Sequence, residues 1–291
     1  MIKFFIPGKY YIPLSLSGSY CELNCPFCRR EFIKSMFDAS SPKLFKEILE
    51  KKYKEGTKGF LLSGGFNRYG YLIINKEHLK VVKEFKKNHP DTVISIHLGL
   101  APTHLIDLVW ESEIDFIDYE VPPSDEYITS YKGIKGKNIS DYLRVLEYSI
   151  SVGGKEFIAP HLILCSKYSS TSDELNRIYE ISTLNNRLLV VLVEIKLYSS
   201  STNVDTKDLV RTIKVLSEAR RRFNLISLGC MRPLIFRRRY DEDIIKLGLV
   251  DRVAVPSNKL INKMNCVIVN ACCSVSKEKL RLFPLKIITS H

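Results

Sequence analysis

The chain has 291 residues, 45% of them apolar, and 44 lysines and arginines against 32 acids give it a formal charge of +12. That length and apolar content fill a sizeable core and exclude a disordered or low-complexity protein. The charge leaves cationic surface for an acidic protein partner or a nucleic acid, with a merely solvated, lysine-rich face as the plain alternative. The opening "MIKFFIPGKYYIPLSLSG" is broken by Pro7, Gly8 and Lys9 before a secretory core forms, and no window nears the roughly 20 apolar residues of a membrane span. The expectation is a soluble, cytoplasmic protein with no membrane contact, in which clustered cysteines bind metal or do chemistry more often than they pair.

Apolar, β-branched runs alternate with amphipathic ones along nearly the whole chain. Eight strands are predicted: residues 11–17, 59–64, 92–99, 115–121, 156–165, 188–197, 224–230 and 252–256. Four helix starts stand between them. Ser41 with Pro42, Ser140, Ser172 and Thr206 each precede an apolar stripe of helical period, as N-cap residues do. Alternation of this kind predicts an α/β fold, a full or nearly full (β/α)8 barrel with its chemistry at the C-terminal strand ends, over an open doubly wound sheet. No linker or repeat divides residues 1–291, which read as one barrel domain. The long loop at 197–206 follows the sixth strand, and residues 264–291 form a C-terminal extension covering the barrel.

Between the first strand and the next helix runs "SGSYCELNCPFCRR", with Cys21, Cys25 and Cys28 at gaps of three and two. Structural zinc asks for four ligands, usually in two close pairs, and neither a histidine nor a fourth cysteine stands nearby. A four-iron cubane normally takes four thiolates, so three ligands from one loop leave one iron open to an outside molecule. This CxxxCxxC loop, with Phe27 before its last cysteine, resembles the radical S-adenosylmethionine superfamily. The resemblance implies a four-iron four-sulfur cluster on Cys21, Cys25 and Cys28. Its open iron would take the amino and carboxylate groups of S-adenosylmethionine, and reductive cleavage would give a 5'-deoxyadenosyl radical. Phe27 then counts among the cofactor-binding residues.

Other positions fall where such a barrel keeps its cofactor. Ser63, Gly64 and Gly65 end the second strand and match the family's GGE segment, with Phe66 in place of the glutamate. That change removes a carboxylate and leaves the backbone contacts of the glycines. Asp118 and Glu120 share one face of the fourth strand by the two-residue period, and Glu120, nearer the C-terminal end, is the candidate for ribose hydroxyls. His97 and His161 lie within strands, as lumen-lining or satisfied core residues.

Five more cysteines remain. Cys165 and Cys230 close the fifth and seventh predicted strands, Cys266 lies in the last stretch, and Cys272 and Cys273 are adjacent. Two readings stay open: buried free thiols, or an auxiliary iron-sulfur cluster on Cys230, Cys272 and Cys273 completed by Cys266, Cys165, Arg232 or an outside sulfur. "APHLIL", "LGCMRP" and "LGLVDRVAVPS" look like the branch that holds biotin synthase and the archaeal two-protein lipoyl synthase. The resemblance then implies a sulfurtransferase, a lipoyl synthase subunit inserting sulfur into an octanoyl chain. Its partners would be an acidic lipoyl-carrier protein or domain as substrate, a related second radical S-adenosylmethionine subunit and an electron donor such as ferredoxin. RNA modification is the alternative that would use the arginine triplets at 220–222 and 237–239, but no aromatic-basic interleaving surrounds them, which ranks nucleic acid lower. A non-catalytic iron-sulfur scaffold is the third.

Overall fold

A computed structural model describes residues 1–23, 25, 26, 28–194 and 206–289. The chain opens with β1 (Ile2–Phe5) and β2 (Tyr11–Ser15), then α1 (Glu31–Lys34), β3 (Phe37–Asp38), α2 (Pro42–Lys54), β4 (Gly59–Ser63) and α3 (Lys76–Asn88). It continues through β5 (Val93–Ile96), α4 (Thr103–Glu111), β6 (Phe116–Val121), α5 (Ile139–Gly153), β7 (Ile158–Leu164), α6 (Thr171–Leu184) and β8 (Leu188–Val193). The last third holds α7 (Thr206–Arg222), β9 (Leu225–Leu228), α8 (Leu234–Lys246), β10 (Arg252–Ala254), α9 (Asn258–Lys263), β11 (Cys266–Val269) and β12 (Leu285–Ile288). The three residues that extend the sixth predicted strand to 197, and most of the loop predicted after it, lie outside the described residues.

All twelve strands form one sheet in the order β12-β11-β1-β10-β9-β8-β7-β6-β5-β4-β2-β3. From β2 to β10 each predicted barrel strand lies parallel beside the next. Helices cover the outer face of this curled sheet, giving the predicted α/β barrel. Three features go beyond the eight-strand reading. The two-residue β3 pairs parallel with β2 at one edge of the sheet. β1 continues the sheet past β10 instead of leading into β2, and β11 and β12 extend it further, β12 antiparallel.

The period-2 alternation divides the apolar residues into two layers. Phe60, Leu62, Ile94 and Ile96 face outward onto Phe45, Leu49, Val82 and Phe85 of α2 and α3. Phe60 and Phe85 meet edge to face at 5.6 Å, a contact worth about 0.5–1.5 kcal/mol beyond its area. Val93, Ala159, Ile163 and Val190 face the lumen.

The chain after β11 enters that lumen. Ala271, Cys273, Val275, Leu280 and Phe283 are buried within it. Buried Arg252 donates to the carbonyls of Cys273 and Val275 at 2.8 and 2.7 Å, and Ser227 Oγ donates to Cys273 O at 3.2 Å. Phe283 packs on Tyr11 and Lys279 pairs with Asp115, both at N-terminal strand ends. The segment therefore fills the N-terminal end of the barrel and leaves its C-terminal end to the cysteine loop.

Two predicted helix caps are corrected. Asn138 and Ser170, not Ser140 and Ser172, cap α5 and α6, each through a capping box whose partner is Asp141 or Asp173. Ser41 caps α2 as predicted, with Pro42 in its first turn. Thr206 is the first residue of α7, not the residue before it. Among the described residues no helix is long and apolar enough to cross a membrane.

Candidate functional site at the C-terminal strand ends

Cys21 follows β2 and is held against the end of β4. Phe66 N–H donates to its sulfur at 3.3 Å, and Glu22 N–H donates to Phe66 O at 2.8 Å. The glycines predicted there are what let the two segments touch. A Cβ on Gly65 would lie 1.8 Å from Tyr20 O and 2.6 Å from Cys21 Cα. Gly64 has φ +140°, and a Cβ there would press on Ser17 Oγ. Ser17 Oγ accepts from Gly65 N–H at 2.6 Å, closing the seam. Ser63, at the end of β4, is turned instead to His97, its Oγ 3.2 Å from Nδ1.

Cys25 and Cys28 complete the loop. Cys25 Sγ lies 3.9 Å from Lys132 O, and burial, offset in part by the Lys132 charge, pushes its thiol up to about 12. Burial also raises Cys28, but backbone N–H groups of Phe32, Arg30 and Glu31 at the start of α1 pull it back. The three sulfurs are mutual electrostatic neighbours. Arg29 and Arg30 take positive φ values of 43° and 67°, the strain of turning this short loop into α1. Phe27 lies outside the described residues.

Glu120 faces the lumen at the end of β6 and makes a 2.9 Å ion pair with Lys132, so the carboxylate proposed for ribose hydroxyls already has a partner. Burial is the largest influence on Lys132 and pulls it down, yet Glu120, Tyr142 and Cys25 together outweigh it and keep the ammonium above the ordinary lysine range. Tyr127 and Tyr131, on a one-turn π-helical segment, stack at 4.6 Å over this end of the barrel. Tyr131 bonds to the Glu194 carboxylate, while the buried Tyr127 hydroxyl has no partner among the described residues. A cavity of about 310 Å³ opens here, lined by Glu22, Pro26, Arg68, Tyr131 and Lys132. A larger cleft of about 460 Å³ lies outside the barrel between α4 and α5 and offers no thiol.

Lys132 and Tyr127 escaped the sequence reading because "YITSYKG" has neither strand alternation nor a motif. Only their distance in space from Cys25 gives them meaning.

The remaining cysteines divide. Cys230 lies two residues past β9, open to solvent, and Cys272 and Cys273 enter the lumen from below. The Cys272 thiol is pushed well up by its contact with Cys273, by burial and by the Asp118 charge; Cys230 keeps an exposed face, but the protein packed around its sulfur and the Cys272 charge raise it as well. The other proposed ligands are elsewhere. Cys165 turns outward to Asp208 O and Thr212, and Cys266 is buried in the outer layer. Arg232 is fully committed to Asp241 and to the carbonyls of Gly229 and Ala254. Among the described residues no three histidine, cysteine or acidic side chains gather closely enough to hold a single metal ion.

No family model and no curated protein matches this sequence. Solved structures do. Methylornithine synthase PylB is 14% identical with a TM-score of 0.54, the match covering 87% of this chain and 71% of that one. HydG, the FeFe-hydrogenase maturase from Carboxydothermus hydrogenoformans, is 15% identical with a TM-score of 0.58, over 87% of this chain and 58% of that one. Streptococcus suis SuiB bound to S-adenosylmethionine is 15% identical at 0.52, over 82% and 49%. The chain shares the α/β-barrel fold of these structures. At such identities the likeness is one of fold alone, and the chain spans only 49–71% of these relatives' lengths.

The donor set suits the four-iron cluster that the cysteine spacing implies. Three thiols converge in one loop, N–H groups of Phe66 and of the first turn of α1 address two of the sulfurs, and the cavity opens beside the third. Hydrogen bonds to sulfur of this kind tune and stabilise iron-sulfur clusters.

Proposed function

We propose that this chain is a radical S-adenosylmethionine enzyme that spends its radical on a molecule held in the barrel lumen. The observation that carries the reading is the seam between the Cys21 loop and the Ser63–Phe66 segment, where a glycine without room for a Cβ holds Cys21 against the end of β4, in a three-cysteine loop whose Glu22 and Pro26 line a ligand-sized cavity. When bound, the cluster would supply one electron to cleave S-adenosylmethionine, and the 5'-deoxyadenosyl radical would take a hydrogen atom from an unactivated carbon.

The chain's own residues have distinct tasks in this reading. Cys21, Cys25 and Cys28 hold the cluster, and the Phe66 and α1 N–H groups stabilise their thiolates. The Gly64 and Gly65 backbone gives the cofactor a flat approach. Lys132, kept charged by Glu120, offers a cation to an anionic group of the cofactor, and Glu120 accepts from its hydroxyls once that pair opens. Tyr127 and Tyr131 keep water from the reacting carbon.

A second reading adds sulfur insertion into an octanoyl chain on an acidic carrier, with a related second subunit and a ferredoxin-like donor. The neighbouring thiols of Cys230, Cys272 and Cys273 favour it, as sites for an auxiliary cluster. Asp118 weighs against it, because its charge opposes thiolate formation there. Anaerobic reconstitution, dithionite and S-adenosylmethionine should yield 5'-deoxyadenosine. Absence of product, with amine, octanoyl-lysine and RNA substrates all tried, would leave the chain an iron-sulfur scaffold. Near four irons per chain supports the first reading, near eight the second.

A further inference from the structure

Asp118 sits mid-strand in β6 with Phe116 and Glu120 on the lumen face, and its side chain is 2% exposed. Neither carboxylate oxygen receives a hydrogen bond from any described residue. Among the described residues its one close charge partner is His161 Nε2 at 3.6 Å, beyond hydrogen-bond reach. The other ring nitrogen of His161 donates to Ala159 O at 2.8 Å, which fixes the ring with Nε2 toward Asp118.

Among the described residues the surroundings supply no better donor. Tyr11 gives its hydroxyl proton to Ser95, and His97 faces Ser63. The cations of the interior and mouth have partners of their own: Lys132 has Glu120, Arg252 has two carbonyls, and Arg232 has Asp241. Cys230 and Cys272, the thiols that feel the Asp118 charge, are weak donors. A buried carboxylate without donors is costly, and such groups in native proteins mark places where a ligand brings the missing partner. His161, the residue beside it, is partly exposed.

We propose that Asp118, oriented beside His161, is the recognition point for a protonated primary amine on the substrate. An ammonium group brings up to three N–H donors and one positive charge to two donor-free oxygens. A divalent cation would need further anionic or imidazole ligands, and no such trio gathers among the described residues. This substrate class rests on the reading that the reacting molecule lies in the lumen. It departs from the octanoyl reading, since an acyl chain on an amide carries no cation.

The test needs neither cluster nor S-adenosylmethionine. Binding of n-butylammonium and of butan-1-ol, its neutral counterpart, is measured by ligand-observed NMR on the full chain. Wild type should prefer the ammonium by at least about tenfold. Asp118→Asn should lose that preference, leave butan-1-ol binding unchanged and melt no lower than wild type. His161→Gln, which keeps the carboxylate and removes its competitor, should bind the ammonium as well or better. Equal binding of both probes to wild type, loss of preference in His161→Gln, or a markedly lower melting temperature of Asp118→Asn would each overturn the assignment. Failure of S-adenosylmethionine cleavage with amine binding intact would sink the enzymatic reading and leave the subsite standing.

Discussion

Two groups of three cysteines occupy this barrel, and their surroundings differ. Cys21 and Cys28 meet backbone N–H groups, and Cys25 has Lys132 beside it. Cys272 meets another thiol and the Asp118 charge, and Cys230 feels Cys272, with only Arg232 and Arg237 in opposition. Burial raises thiols in both groups; in the first, N–H groups and the Lys132 charge oppose it, whereas in the second the neighbouring thiols and Asp118 add to it, against one Ser274 N–H on Cys272 and the two arginines beside Cys230. Cysteine count and proximity alone would have ranked the two alike; the donors decide.

The sharpest break of this comparison is removal of a thiol from each group. Cys25→Ala should drop iron to background after anaerobic reconstitution and abolish 5'-deoxyadenosine formation. Cys272→Ala should leave near four irons per chain. An equal loss of iron from both variants would make the two groups equivalent.

Gly65→Ala comes next. Its methyl would be driven into Tyr20 O, and such overpacking costs about 1–3 kcal/mol. The expected result is a lower melting temperature together with weaker iron retention against a chelator. A variant that melts lower and keeps its iron would separate the seam from the cluster.

Acidity sharpens the contrast further. Ligation needs thiolates, so iron loading in competition with a chelator should rise from pH 7 to 9. In the cluster-free chain the raised Cys25 thiol keeps its proton on folding. Its contribution is full below the free-thiol value near 8.5 and is lost as pH climbs toward about 12. Melting temperature should fall over that window, and less so with the cluster bound. The smallest effect expected is that of Glu120→Gln, which leaves Lys132 without its counter-charge. S-adenosylmethionine affinity should weaken by roughly tenfold, about 1.4 kcal/mol, as read by equilibrium binding to the reconstituted protein.

Much of the barrel was legible because β2, β4 to β7 and their partners carry alternation that composition cannot hide. The loop with Cys21, Cys25 and Cys28 was legible for another reason, since its spacing is local. What escaped was non-local or short. IKFF and CVIV are four-residue strands too short for alternation to mark, and their pairing with each other and with β10 and β12 shows them as β1 and β11. Ser140 and Ser172 drew attention from Asn138 and Ser170, although the spacing of three to Asp141 and Asp173 marks the true caps. Asp118 was paired with Glu120 on one face from sequence, but its missing donors depend on where His161, Tyr11 and Cys272 lie.

The central claim is that the first trio holds a cluster with one iron open to S-adenosylmethionine. Electron paramagnetic resonance of the dithionite-reduced protein, recorded without and with S-adenosylmethionine carrying a ¹⁵N amino group, tests it most directly. The account predicts a reduced-cluster signal that changes on addition and shows coupling to that nitrogen. A signal that is unchanged, or one that persists in Cys25→Ala, would contradict it.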